Sequence, residues 1–358
     1  MKRFVSRSIG ALLALCVLLG CGTDASAAAG PEIDAVISET AACLCETAAK
    51  PQVGSVGGEW AVLGLARSGC PVPEGYFERY YTQAEAYVTA CGGVLHTRKY
   101  TEYSRVILAL TAIGKDPADV AGYNLLTALG DYEKTVWQGL NGPVWALVAL
   151  DCGCYAMPQN PGAKTQATRE MYVEHILSAQ LPDGGFSLSG AGGADPGMTA
   201  MALQALSNYT GRSDAAQAVL RALACLSAMQ GPDGGFSGGG TGDSESCAQV
   251  IMALHKLGIS PDDDRFVKNG STLLDNLLSF RAGGGGFAHT AGGGCDQMAT
   301  EQALLALAAL RRAAMGRSGL LEIIQVTEQS GDIWGRGSPA RSLASYYHKA
   351  VQAGGGVR

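Results

Sequence analysis

The chain has 358 residues, and 47% of them are hydrophobic, so it can bury a large core. Its 50 glycines but only 13 prolines, set among Ala- and Leu-rich runs, indicate helices separated by glycine turns and exclude a disordered chain. The formal net charge of −6 disfavours nucleic acid and anionic membrane surfaces as partners.

The N-terminus predicts export. Lys2, Arg3 and Arg7 precede an apolar run over residues 9–19, which is the order of a secretion signal, and the run is too short to span a membrane. Leu-Leu-Gly-Cys at residues 18–21 resembles a bacterial lipobox and predicts cleavage before a lipid-modified Cys21, although Ala-Ser-Ala at 25–27 offers an ordinary cleavage site. Loss of residues 1–20 removes three positive charges and leaves a formal charge of −9. We therefore predict a secreted or cell-surface protein.

After a short Ala- and Gly-rich tether at residues 21–31, helical periodicity predicts two alternating kinds of helix over residues 32–313. An opening helix and amphipathic outer helices are predicted at residues 32–49, 76–90, 120–132, 165–178, 214–229 and 266–280. Inner helices, apolar almost all round, are predicted to begin near residues 59, 102, 143, 196, 244 and 297. Residues 314–358 do not follow the pattern and are predicted to close the structure as a last helix or strand.

Three copies of one turn organise the second half of the chain. Gln-Leu-Pro-Asp-Gly-Gly-Phe at 180–186 returns as Gln-Gly-Pro-Asp-Gly-Gly-Phe at 230–236 and, less regularly, as Phe-Arg-Ala-Gly-Gly-Gly-Gly-Phe at 280–287. Each copy is followed by an Asp and an apolar helix. A period near 50 residues indicates structural repeats. Six outer and inner pairs that close into a ring need no capping repeat, so the sequence predicts an all-α protein, an (α/α)6 toroid.

These turns and the Ala/Leu-rich helices after them resemble the repeats of squalene/terpene cyclases and protein prenyltransferase β-subunits, over about residues 55–312. The same superfamily includes complement thioester domains and the helical domain of cobalamin carriers. More narrowly, the chain resembles exported bacterial proteins with the prenyltransferase/squalene oxidase repeat. The resemblance implies an α/α toroid, and the cobalamin carriers make a corrinoid-like small molecule the most concrete ligand that it implies.

The catalytic motifs of that superfamily are not matched. An Asp-x-Asp-Asp acid has its nearest counterpart in Asp262, Asp263 and Asp264, which follow Ser-Pro in a turn and favour a helix cap. The prenyltransferase zinc site, with its Asp and a Cys two residues later, is matched neither by Asp151 and Cys152 nor by Asp243 and Cys247. The five His residues are spread singly. We therefore expect no metal and no cofactor.

Acidic side chains lie in or beside the first turn of the inner helices, so ring closure would gather them at one rim. They are Glu59, Glu102, Asp195, Asp243, Glu245, Asp296 and Glu301. Acids there stabilise helices by capping and through the helix dipole, but at the mouth of a ring they also suit a glycan-active enzyme. Other polar and aromatic residues at this end exceed what capping requires: Trp60, Arg105, Trp145, Thr199, Gln249, Gln297 and Gln302.

The favoured interpretation is a ligand-binding toroid without catalysis, whose rim residues receive a small-molecule ligand or a cell-surface protein. It meets a membrane only through a lipid anchor at Cys21, and it does not bind nucleic acid. Two alternatives stay open: a divergent terpene cyclase or prenyltransferase-like enzyme, and a glycan-active (α/α)6 enzyme. An isoprenoid enzyme needs a deep aromatic pocket, whereas the chain has 7% aromatic residues. A glycan enzyme needs two opposed carboxylates across an open cleft.

Overall fold

The computed structural model describes residues 25–54, 56–237 and 242–323, with side chains from Glu32 onward. The predicted signal peptide, Cys21 and most of the predicted closing segment lie outside the described residues. The described part is helical, and its extended backbone amounts to isolated bridges without a strand. The all-α prediction is confirmed.

Six inner helices form a closed ring. They are α2 (Glu59–Ser68), α4 (Thr101–Ala112), α6 (Asn141–Cys152), α8 (Pro196–Leu206), α10 (Ser244–Lys256) and α12 (Gln297–Ala314). Each packs against the next, and α12 packs against α2. The residues of these helices are buried on nearly all sides, which is why their sequences lack a polar face. Both the number and the starting points of the predicted inner helices are confirmed.

Outer helices surround this ring. They are α1 (Ala25–Thr47), α3 (Tyr76–Ala90), α5 (Tyr132–Val136), α7 (Arg169–Ser178), α9 (Ser213–Met229) and α11 (Leu273–Ser279). Helix α1 packs against both α12 and α2, so the first outer helix covers the seam where the ring closes. It begins at Ala25, inside the stretch predicted as a tether.

Two predicted outer helices are wrong in extent. Residues 120–132 form a turn, a 3₁₀ segment (Leu125–Gly130) and the start of the short α5, because Ala121 and Gly122 adopt positive φ angles of 52° and 84°. Residues 266–280 likewise contain a turn, in which Lys268 and Ser271 exchange backbone hydrogen bonds before α11 begins. A left-handed residue stops a right-handed helix, and neither hydrophobic pattern contained that signal.

The three glycine turns dock each unit on the next outer helix. The first glycine of each pair, Gly184, Gly234 and Gly285, has φ between 81° and 90°. A Cβ at Gly184 would lie 2.7 Å from the Arg221 carbonyl oxygen of α9. At Gly285 it would lie 2.6 Å from the Glu39 carbonyl oxygen of α1. The third copy therefore fastens the last unit to the first helix.

The inner helices all point the same way, so the ring has two different ends. We call the end that holds their N-termini the rim and the end that holds their C-termini the floor. Residues 319–323 cross the floor: the Ile323 amide donates to the Cys152 carbonyl of α6 at 2.7 Å, and Glu322 pairs with Lys256 of α10 at 2.6 Å. Among the described helices, none is long and apolar enough to cross a membrane.

Candidate functional site

Three of the predicted rim acids are helix caps. The carboxylates of Asp195, Asp243 and Asp296 accept hydrogen bonds from the backbone amides three residues later, at 2.6, 2.7 and 2.9 Å. The amide nitrogens at helix N-termini lack partners within the helix, so each carboxylate satisfies one of them. Capping accounts for the position of these three acids.

Thr199 is enclosed and holds the first glycine turn. Its side chain is 0% exposed, and its hydroxyl accepts from the Phe186 amide at 2.9 Å. Thr300 does the same for Phe287 at 2.9 Å, and Cys247 occupies the matching place in the middle repeat. Thr199 therefore holds the turn and offers no surface to a ligand. Thr300 was overlooked, although its place four residues after the capping Asp repeats that of Thr199.

Glu59 and Glu301 form a buried acid pair behind the rim. Glu59 accepts from the Gly54 amide at 2.8 Å, and Glu301 accepts from the Gly57 amide at 2.7 Å, so together they hold the loop that leads into α2. Gln297 donates to the same Glu301 oxygen at 2.9 Å. Burial raises the pKa of both carboxyls. The second Glu301 oxygen has no hydrogen-bond partner among the described residues.

An ion cluster and an aromatic pair occupy the mouth of the ring. Arg105 of α4 donates to Glu59 at 3.1 Å and to Glu102. Beside it, Trp60 and Trp145 meet with their ring centroids 5.1 Å apart, although their helices α2 and α6 are not neighbours in the ring. The tryptophans therefore reach past α4 and meet in the mouth.

Deeper in the ring, three glutamines on consecutive inner helices form a chain of hydrogen bonds. Gln204 donates to Gln249 at 2.8 Å, and Gln249 donates to Gln302 at 2.7 Å. All three are buried. Gln204 was overlooked because it lies one turn further from its cap than the other two. Hydrogen bonds between these amides satisfy polar groups that would otherwise be costly inside the ring.

One histidine does have an acidic partner at the rim. His289 Nδ1 lies 2.9 Å from a Glu245 oxygen, and this hydrogen bond raises the pKa of His289. The third glycine turn carries His289 to α10, where it meets Glu245 although the two residues are 44 positions apart. No group of three or more metal-binding side chains is assembled within the described ranges. Cys247 donates to the carbonyl of Leu273, the first residue of α11, at 3.1 Å.

The other catalytic candidates have local structural partners. Asp151 pairs with Arg169 at 3.0 Å and accepts from the Tyr209 hydroxyl at 3.0 Å. Asp263 pairs with Arg265 at 2.7 Å and caps the short 3₁₀ segment that follows it. Neither faces the mouth of the ring.

Exposed apolar side chains lie on consecutive rim loops and in the last turn of α3. They are Val56 before α2, Tyr87 in α3, Val94 before α4, Trp137 before α6 and Leu188 before α8. The loops touch one another: the Arg98 guanidinium lies 5.3 Å from the Trp137 ring centroid, and the Leu140 amide donates to the Leu188 carbonyl at 3.0 Å. The apolar groups thus follow an arc around one side of the mouth.

Comparison with known proteins agrees with this architecture. The family of the prenyltransferase alpha-alpha toroid domain matches residues 130–260 and 200–332, which together span more than half of the chain. The chain belongs to this family of α/α toroids.

Two solved structures share the fold. A Candida albicans protein geranylgeranyltransferase-I, complexed with GGPP, is 13% identical, with a TM-score of 0.54 over 88% of this chain and 98% of that one. An unsaturated glucuronyl hydrolase from Bacillus sp. GL1, responsible for glycosaminoglycan degradation, is 13% identical, with a TM-score of 0.51 over 81% of this chain and 98% of that one. No curated protein sequence matches the chain. At this identity the structures show the fold alone.

Proposed function

We propose that this chain is an exported binding protein that takes up a small-molecule ligand on its rim and performs no catalysis. The proposed binding surface, called the rim surface below, consists of the apolar arc together with Trp60, Arg105, Glu102 and the Glu245–His289 pair. Its location outside the cell, either secreted or anchored at Cys21, is part of the proposal and is supported by the N-terminal sequence pattern.

The apolar arc is the observation that carries the proposal. Trp137 is 57% exposed and Leu188 50%, although the ring has a large core in which such side chains could be buried. Scattered apolar residues on a surface need no explanation, but a group of them around one mouth is typical of a binding site. Arg105 and the acids beside it add polar groups that could orient a ligand.

The filled centre of the ring supports binding at the rim over binding in a deep pocket. Trp145 is 9% exposed, and Gln249 and Gln302 are 7% and 5% exposed, so the side chains that meet inside the mouth leave one another little free surface. An isoprenoid enzyme must enclose a long apolar chain. The terpene cyclase or prenyltransferase-like alternative is therefore less well supported.

A glycan-active enzyme is the second candidate, and the Glu245–His289 pair favours it. The pair is accessible, with His289 60% and Glu245 21% exposed, and an acid beside a titratable imidazole can transfer protons. The hydrogen bond to Glu245 raises the pKa of His289. However, Asp195, Asp243 and Asp296 each bind a backbone amide, which weakens the case for one of them as the second carboxylate of the reaction.

A corrinoid-like molecule is the first ligand to test, because its broad ring carries both apolar edges and amide groups. We propose to measure thermal stability and calorimetric binding of the purified chain with a corrinoid, an isoprenoid diphosphate and a set of oligosaccharides that includes unsaturated uronides. A ligand at 100 times its Kd adds about 2.7 kcal/mol to the folded state. We expect the corrinoid alone to raise Tm, by a few degrees.

A matched pair of variants locates the site. Trp137→Ala with Leu188→Ala removes two exposed rim groups, so we expect it to weaken corrinoid binding at least tenfold without changing Tm of the free protein. Met315→Ala removes a comparably exposed side chain, 48% exposed, at the floor, and should bind like the parent. Equal binding by all three proteins would place the ligand elsewhere. Turnover of any tested compound would refute a non-catalytic role, and no binding at all would refute the small-molecule ligand in favour of a protein partner.

A further inference from the structure

A cavity on the floor, at the opposite end from the rim, is surrounded by arginines. It lies between the C-terminal ends of α2 and α12 and has a volume of about 90 Å³. Its lining residues are Arg67, Ser68, Gly69, Arg311, Arg312, Met315 and Arg317. A single water needs roughly 10–15 Å³, so the cavity has room for a small polyatomic ion.

Two of these guanidinium groups, those of Arg67 and Arg312, form hydrogen bonds to neutral acceptors. Arg67 donates to the carbonyl oxygens of residues 320, 319 and 322 at 2.9, 2.9 and 3.1 Å, which fixes the segment that crosses the floor. Arg312 donates to the Ser318 carbonyl and hydroxyl at 2.9 and 3.1 Å. Neutral acceptors position these guanidinium groups without cancelling their charge.

Positive charge exceeds negative charge around the cavity. Arg311 pairs with Asp34 of α1 at 3.0 Å, while Glu322, the other nearby carboxylate, pairs with Lys256. Among the residues that the structure describes, five cations thus stand against two carboxylates around this cavity, in a chain whose overall charge is negative. Burial and the neighbouring Arg312 lower the pKa of Arg67 to about 10. Burial and the charge of Arg317 also lower the pKa of Arg312.

Helix stabilisation does not account for this cluster. Cations in the last turns of α2 and α12 favour the C-terminal carbonyl groups of their own helices, which explains Arg67, Arg311 and Arg312 one by one. Helix stabilisation does not explain Arg317, which lies beyond α12 on an exposed loop, or why the ends of two helices bring their arginines to one cavity. Their convergence on one cavity places like charges together at a cost, which a bound anion would relieve.

We propose that this floor cavity, the Arg67–Arg312–Arg317 site, binds an oxyanion with the chemistry of a phosphate group. Guanidinium groups offer planar pairs of N–H donors that match phosphate oxygens, and several of them around one cavity neutralise an anion that carries more than one charge. The site is separate from the rim surface and does not depend on the function proposed for it.

Free phosphate and the headgroup of an anionic phospholipid share this chemistry. Asp34 of α1 contacts Arg311, so the N-terminal part of α1 lies at the floor. This position makes a phospholipid headgroup physically accessible to the cavity. Helix α1 begins four residues after Cys21, the predicted lipidation site. A chain anchored there would hold its floor, with the arginines, toward the membrane.

The test measures both sources on the full purified chain at low ionic strength. Calorimetric titration with inorganic phosphate measures the free anion, and co-sedimentation compares vesicles of phosphatidylcholine with vesicles containing phosphatidylglycerol. Arg317→Gln removes an exposed cation without disturbing a helix. We expect it to weaken binding about tenfold, the effect of one charged hydrogen bond. Arg312→Gln should have a similar or larger effect.

Arg212→Gln is the matched control, because it removes one positive charge from the distant start of α9, where Arg212 pairs with Asp214. It should bind phosphate and vesicles like the parent. Phosphate binding without vesicle binding would support the site with a free anion as its ligand, and binding to phosphatidylglycerol alone would support a headgroup. The proposal is overturned if neither probe binds, or if Arg212→Gln weakens binding as much as Arg317→Gln does.

Discussion

The last three units of the ring and the first two hold their inner helices in different ways. Each outer helix and the inner helix after it form one unit, from α1 and α2 as the first to α11 and α12 as the sixth. In units four and six, a turn with two glycines ends on a Phe whose amide is bound by a Thr of the following helix, Thr199 or Thr300. In the first unit the loop before α2 is held by the buried carboxylates of Glu59 and Glu301. The second unit uses neither device: Gln138 accepts from the amide and hydroxyl of Thr101, at 3.2 and 3.0 Å.

The later units thus fix their loops with a repeated backbone conformation, whereas the earlier units fix theirs with side-chain hydrogen bonds that differ from one unit to the next. The left-handed glycine geometry of the turn recurs in all three copies, at Gly184, Gly234 and Gly285, and does not depend on protonation. A loop held by buried acids depends on the protonation of those acids. The two halves of the ring should therefore respond to different perturbations.

The largest effect is expected from adding a side chain to the repeated turn. Gly184→Ala places a Cβ at φ 90°, 2.7 Å from the Arg221 carbonyl oxygen. Positive φ costs a non-glycine residue roughly 1–2 kcal/mol, and crowding a packed contact adds about 1–3 kcal/mol. We expect urea denaturation to show a free energy of unfolding lower by roughly 2–5 kcal/mol.

Gly192→Ala separates these two costs. Gly192 has φ 85°, but no atom lies within 4 Å of the position of its Cβ. This variant should lose only the backbone part, about 1–2 kcal/mol. Equal losses in the two variants would show that the turn does not dock tightly on α9.

A smaller effect, confined to one pH range, is expected in the first unit. Burial raises the pKa of Glu301, so its protonated form is favoured in the folded protein. Its stabilising contribution is complete below the unfolded-state pKa, about 4.3, and is lost as the pH rises through the folded-state pKa. Glu301→Gln stays neutral and can still accept from the Gly57 amide. The difference in unfolding free energy between Glu301→Gln and the parent should therefore shift in favour of the variant as pH rises from 4 to 8.

Glu59 sharpens this experiment, because burial raises its pKa as well and the attraction of Arg105 opposes that shift. Because the net shift of the Glu59 pKa is upward, the unfolding free energy of Glu59→Gln should also rise relative to that of the parent as pH increases. Loss of the charged partner of Arg105 should make this rise smaller than the one expected for Glu301→Gln. Parallel pH curves for Glu301→Gln and the parent would contradict the assignment of a raised pKa.

The same contrast explains what the sequence could predict. The inner helices and the ring follow from apolar periodicity and from the 50-residue repeat, since both are local patterns. The helices α5 and α11 are shorter than predicted because residues before them, such as Ala121 and Asn269, adopt a left-handed backbone conformation. The identity of these side chains does not by itself predict that conformation. Contacts that form only when the ring closes could not be predicted from a local sequence pattern. Gly57 and Glu301 are 244 residues apart, and Trp60 and Trp145 meet only because the ring bends them together.

The cavity at the floor was harder to predict from the sequence than the group of residues at the rim. Rim residues share a fixed offset from the start of each helix, so their grouping could be inferred from spacing. The four cavity arginines come from one helix end, another helix end and a loop, and nothing in their spacing relates Arg67 to Arg317. The apolar arc could not be predicted for a different reason. The sequence does not distinguish an exposed Trp or Leu from a buried one, because exposure depends on where the loop lies in the folded ring.

The smallest effect is expected from the rim acids that cap helices, and it tests whether the two halves of the ring also differ in function. Asp195→Asn, Asp243→Asn and Asp296→Asn each keep an oxygen that can accept the capping hydrogen bond, and Asn is as good a cap as Asp. What each loses is the interaction of a negative charge with the helix dipole, about 0.3–1 kcal/mol. Urea denaturation should therefore show small losses, and ligand binding at the rim should be unchanged, because each of these carboxylates is already bound to a backbone amide. Loss of binding in any of the three variants with an unchanged unfolding curve would show that the carboxylate contacts the ligand, and the rim surface would then include the capping acids.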